Sequence, residues 1–143
     1  MNPTDTGQPD IDARYRTLLI LWFAICLSVL IFLVLIHFSP GQTAENRQLT
    51  LSLNCLGALP VAFSFLLKQR ALAKSVEAQR VDLVHNAYVL AFALCEIPAL
   101  LGLMDYFLTG SKYYYVGFAI AGLGMLLHFP QKRHLLAASR QEF

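Results

Sequence analysis

The sequence predicts an all-α fold: a polytopic membrane protein, a four-transmembrane-helix bundle with both termini on the cytoplasmic side (N-in/C-in). Three observations predict it. Apolar residues make up 57% of the 143-residue chain and charged residues only 14%, against roughly 45–50% and 25% in soluble domains. The apolar residues gather in four long runs. The basic residues cluster on one side of those runs. A chain this short has no core large enough to hide so much apolar surface, which makes the bilayer the alternative solvent.

The first run, Leu18 to Phe38, is almost unbroken. A helix needs about 20 residues to cross ~30 Å of hydrocarbon, so this run suffices. It is too long for a signal-peptide core and follows an acidic leader, residues 1–16, expected to be disordered. "SPGQTAENRQ" from Ser39 interrupts the pattern with Pro-Gly and polar residues. The second run is Leu49 to Leu67, ended by Lys68, Gln69 and Arg70. "KQRALAKSVEAQRVD" follows, rich in helix formers, and is expected to extend the second and third helices beyond the membrane. The third run, Leu83 to Leu108, is the longest. "TGSK" turns the chain into a shorter fourth run, Tyr114 to Phe129, closed by "PQKR". The expected spans are about 17–38, 49–68, 83–108 and 113–129 within a membrane domain of residues 17–130. Residues 131–143 form a cytoplasmic tail.

Positive charge sets the orientation. Arg14, Arg16, Lys68, Arg70, Lys74, Arg80, Lys132, Arg133 and Arg140 fall on one side, leaving Arg47 and Lys112 of the eleven basic residues on the other. The inner (plasma) membrane is the expected location. Tyr106, Phe107 and Tyr113 to Tyr115 would form an aromatic belt at the outer interface.

Glu96 stands near the middle of the third run. An ionised carboxylate at the bilayer centre costs at least ~2.5–3.5 kcal/mol, and such residues usually face a protein interior with a functional role. Burial favours the neutral form of a carboxyl. Pro98 lacks an N–H and displaces the carbonyl four residues back, that of Leu94. A freed backbone oxygen at this depth needs a side chain, water or an ion. Glu96, the Leu94 carbonyl and Pro98 are therefore the candidate ion-binding set. The plain alternative is an interhelical hydrogen bond from Glu96 to Ser28, Asn54 or Ser64. His85 lies eleven residues before Glu96, close to three turns, and is a candidate proton relay about 16 Å away. Asp105 falls on the opposite face near the outer interface, where it is expected to be solvated. In the fourth run Gly117, Ala121 and Gly124 share a face and predict close helix packing.

The stretch "ALCEIPALLGLMDYFL", residues 93–108, resembles the carboxylate-bearing helix of the proteolipid c subunits of rotary ATP synthases. That resemblance implies a proton- or sodium-binding role for Glu96. It covers the third run alone; the glycine repeat of that family's first helix is absent here.

Other constellations are weaker. His85 and His128, near the same end of neighbouring helices, could hold a haem between them, but no cofactor is expected. Cys26, Cys55 and Cys95 lie in apolar runs without paired spacing and read as small core residues, not as disulfides or metal ligands. No nucleophile stands near a base, and there is no phosphate loop or metal-ligand cluster, so no enzyme activity is expected. A net charge of +2 is too small for a nucleic-acid surface. The expected partners are membrane lipids and either further copies of the chain, as a homo-oligomer, or a larger membrane complex. Two functions follow: binding or relaying a proton or cation at Glu96, or a non-catalytic accessory or assembly role in which Glu96 makes a structural bond.

Overall fold

The apolar runs fold into helices, with Pro60 and Pro98 held inside two of them, and a computed structural model describes them over residues 11–40 and 46–139. Helices are Ile11–Phe38 (α1), Arg47–Glu77 (α2), Val81–Thr109 (α3), Tyr115–Leu127 (α4) and Lys132–Ala137 (α5), with a 3-10 turn at Lys112–Tyr114. The described residues contain no strand. At 1.5 Å per residue, α1, α2 and α3 are each about 42–47 Å long, and all three are long and apolar enough to cross a membrane.

Residues 11–16, expected to be disordered, are instead the first turns of α1. Arg14 donates to Asp82 and Lys132 pairs with Asp12, which ties this end of α1 to the start of α3 and to α5. Residues 1–10 of the leader lie outside the described residues. The tail is partly ordered too: α5 buries Leu135 and Ala138 against the bundle. The linker after Leu67 is nearly all helix, as its composition predicted, and α2 runs on to Glu77. The turn into α3 is therefore three residues, 78–80. Arg80 N donates to Ser75 O and Gln79 N to Val76 O, with Gln79 in the left-handed region at φ 51°. This is a Schellman end formed without glycine. Gly110 closes α3 at φ 60°, its N–H bonding Tyr106 O.

The fourth run is the shorter helix expected, and it departs only at its ends. α4 proper has 13 residues, and with the preceding 3-10 turn the apolar helix spans Lys112–Leu127. Ser111 Oγ accepts the N–H of Tyr113 and tightens the start into a 3-10 turn. At the other end Pro130 disfavours helical geometry at Phe129, so the helix stops at His128.

Small residues determine how these helices meet. A Cβ on Gly57 of α2 would lie 3.2 Å from Pro98 Cα. One on Gly117 of α4 would lie 2.5 Å from Pro98 O and 3.1 Å from Gly102 Cα. One on Gly124 would lie 2.9 Å from Cys95 Sγ. Ala121 between them is fully buried. The Gly117, Ala121, Gly124 face thus lies against α3 along the stretch Cys95–Gly102. Pro60, inside α2, lines an open apolar groove of about 710 Å³ with Leu56, Phe63, Leu94 and Leu101. The core has two parts. Leu18, Val84, Tyr88, Phe92, Cys95 and Met125 lie toward the α5 end. Val29, Ile36, Ala99, Phe118 and Ala121 lie toward the other. α1 is the most exposed of the long helices. Its best link to α4 runs from Trp22 Nε1 to Met125 O at 2.9 Å, which satisfies one of the carbonyls left free at a helix end.

Candidate functional site

Glu96 sits at the joint between the two core clusters, between Cys95 of one and Ala99 of the other. It is half-buried and faces α1, where Ser28 Oγ lies 2.5 Å from its Oε1. Ser28 Oγ also lies 2.9 Å from Ile25 O, one turn back in its own helix. Of the three partners the sequence offered, the structure selects Ser28. Asn54 instead bonds Thr50 O, and Ser64 bonds Val61 O.

The other members of the candidate ion-binding set do not gather there. Leu94 lines the open groove between α2 and α3. Pro98 is buried against Gly57 and Gly117. Two residues along a helix is 200° of rotation, so the side chains of Leu94 and Pro98 turn away from the side that Glu96 presents to α1, while the Leu94 carbonyl, being backbone, is directed along the helix axis. The relay from His85 meets a similar obstacle. The positions between His85 and Glu96 on that face are Val89 and Phe92, both part of the apolar core. His85 itself is half-buried, and its enclosed Nδ1 has no hydrogen-bond partner among the described residues.

Asp105 overturns the expectation of a solvated side chain. It is fully buried. Thr50 donates to its Oδ1 at 2.8 Å, and Thr109 Oγ1 lies 2.9 Å from the same oxygen and 2.8 Å from Asp105 O. The two hydroxyls are 3.4 Å apart. Facing away from α1 means facing α2, which packs along α3 from Thr50 to the turn at 78–80. The Asp105–Thr109 pair at i, i+4 was visible in the sequence as one polar face. Thr50, 55 positions away, carried no local signal.

A second buried polar group joins α2, α3 and α4. His128 Nδ1 donates to Gly124 O at 2.8 Å, and Nε2 lies 3.2 Å from Ser64 Oγ. Phe65 stacks on the ring with centroids 4.3 Å apart, and Cys95 Sγ is 3.8 Å from Nδ1. Both nitrogens of His128 are thus engaged within the bundle, which leaves neither free to pair with His85 around a haem. Cys95 is buried, Cys26 half-buried and Cys55 exposed, and all three thiols are free. Cys55 therefore departs from the core placement expected for it, because its face of α2 turns outward.

The α5 end carries a titratable latch. Tyr88 OH bonds His134 Nδ1 at 2.6 Å and accepts the Gln131 N–H at 3.2 Å. Burial pushes the His134 imidazole below its ordinary value of 6.5, and the Lys68 and Arg133 charges act in the same direction. A depressed histidine contributes stability that is complete above 6.5 and is lost as pH falls from there toward the folded value. Docking of α5 is therefore expected to weaken as pH drops below about 6.5. Methyl NMR shifts of Leu135 and Ala138 should move toward undocked values on acidification, and His134→Phe should remove that movement.

No family model matches this chain, and no curated protein or solved structure matches it.

Proposed function

We propose that this chain is a small integral membrane protein of the inner (plasma) membrane that reversibly binds a proton at Glu96. One observation carries the reading: Glu96 Oε1 and Ser28 Oγ can keep their hydrogen bond in either protonation state of the carboxyl. When the carboxyl is ionised, Ser28 donates to Oε1. When it is protonated, the carboxyl donates to Ser28 Oγ and Ser28 turns its own hydrogen to Ile25 O, 2.9 Å away. A hydroxyl with both donor and acceptor capacity makes that exchange possible without breaking the link between α1 and α3. The resemblance of residues 93–108 to the c-subunit helix is in line with it.

The membrane placement rests on length, composition and exposed apolar side chains such as Ile20 at 70% and Leu123 at 61%. In this reading α4 crosses as well. It leaves α3 at Gly110, and the chain after it is bonded to Tyr88 through Gln131 N, so α4 covers the stretch of α3 between those two levels. The start of α1, the turn at 78–80 and α5 share the end that carries most of the basic residues, which supports a cytoplasmic location for that end.

A second reading has its own observation. Among the described residues Ser28 is the one side chain hydrogen-bonded to Glu96, which fits a brace, as in a non-catalytic accessory or assembly subunit of a larger complex or a homo-oligomer. Labelling with a carbodiimide that attacks protonated carboxyls separates the two. Proton binding predicts modification at Glu96 at neutral pH that declines as pH rises. A side chain unreactive at every pH would favour the brace.

A further inference from the structure

Asp105 raises a different question from Glu96. Its carboxyl is fully buried, yet Oδ2 has no hydrogen-bond partner among the described residues. The hydrogens available nearby are already spoken for. Thr50 gives its single hydrogen to Oδ1. Thr109 divides one between Oδ1 and the Asp105 carbonyl. Ser111 N donates to Thr109 Oγ1 at 3.1 Å, leaving that oxygen one further lone pair. The described residues supply no ion pair to Asp105. A buried carboxylate without a counter-charge is strongly unfavourable, and no group among the described residues pairs with Oδ2.

We propose that Asp105, Thr50 and Thr109 bind a small hard monovalent cation, sodium being the probe of choice. Three observations converge on that class. The donor set is one carboxylate and two hydroxyls, all oxygen, as hard cations prefer. The site holds one negative charge, which one positive charge neutralises, whereas a divalent ion would leave a buried excess. Thr50, Thr109 and Ser111 are each no more than 2% exposed, so the oxygens are held in place rather than solvated. Thr50 also lines a cavity of about 270 Å³ with Arg47, Asn54 and Tyr113, at the end of the bundle away from α5.

This site is independent of proton binding at Glu96, and the test keeps the two apart. Thermal unfolding of the full chain in lipid nanodiscs would be followed in sodium chloride and in choline chloride at equal ionic strength. Sodium should raise the midpoint in a saturable way. Asp105→Asn should abolish that rise, Glu96→Gln should retain it, and Thr50→Val should raise the half-saturating sodium concentration roughly tenfold, as for one lost bond to a charged group. Should Asp105→Asn fail to fold, carbodiimide labelling of Asp105 in the unaltered protein serves instead, with protection by sodium expected. Equal midpoints in the two salts would overturn the proposal. So would a sodium effect that survives Asp105→Asn, or Asp105 labelling indifferent to sodium, which would mark a plain protonated carboxyl.

Discussion

Replacing Gly117 by alanine is expected to destabilise the bundle by at least about 1–3 kcal/mol, the range for overpacked cores. The new methyl would stand 2.5 Å from Pro98 O and 3.1 Å from Gly102 Cα. Both obstacles are backbone, so no rotamer change relieves the clash and α4 must move away from α3. Gly102→Ala should behave alike, because its Cβ would meet Tyr114 O at 2.7 Å. Gly124→Ala should cost less, since the atoms it meets belong to the Cys95 and Val61 side chains. Gly122, with nothing within 4 Å, is the control: alanine there should be neutral or stabilising by up to about 1 kcal/mol through helix propensity. Reversible unfolding in mixed detergent micelles measures all four. A Gly117→Ala protein as stable as Gly122→Ala would mean that α4 does not pack on α3 as described.

Replacing Glu96 by glutamine is expected to remove proton binding altogether while changing stability by less than about 1 kcal/mol. Glutamine keeps an acceptor for Ser28 and offers a donor in place of the acid proton, and interhelical polar bonds in membranes average only about 0.6 kcal/mol. The signature would be the carbonyl stretch of a protonated carboxyl in infrared difference spectra after a pH jump, present in the original protein and lost in Glu96→Gln. Ser28→Ala should keep the band but move its frequency, because it removes the hydroxyl that is hydrogen-bonded to the carboxyl. If Glu96→Gln instead left the spectra unchanged, the side chain would be a brace and its proton a fixed part of the structure.

How far the sequence could be read follows from what hydropathy measures. Run length located α1, α2 and α3, because length against bilayer thickness is a one-dimensional quantity. Facing was harder. Lipid tails and a protein interior are equally apolar, so Cys55 on the outside and Cys95 in the core look alike in composition. The information on facing sits in small residues: Gly117, Ala121 and Gly124 were legible as a face before their neighbours were known. Glu96 was legible because charge is rare at that depth, and Ser28 was among three reasonable partners. Asp105 was misplaced because its position near a helix end suggested water, while Thr50, the residue that buries it, belongs to another helix. The fourth helix was legible as the shorter one, but its end was set two residues too far because Pro130 acts on backbone geometry, which apolar run length does not register.

The peripheral position of α1 bears on how the molecule is made. Its specific links include Ser28 to Glu96, Trp22 to Met125 O, Arg14 to Asp82, Asp12 to Lys132 and, just past its end, Ser39 O to Tyr106. These partners lie on α3, α4 and α5, and α1 is synthesised before all of them. In a bilayer it would therefore wait in lipid, stabilised by its own apolar surface, while the α2–α3 hairpin closes through its three-residue turn and α4 docks. Order of synthesis and order of packing run in opposite directions. Residues Trp22 and Ser28 then act as late fasteners, recruiting a helix that is already inserted to a core that has just formed.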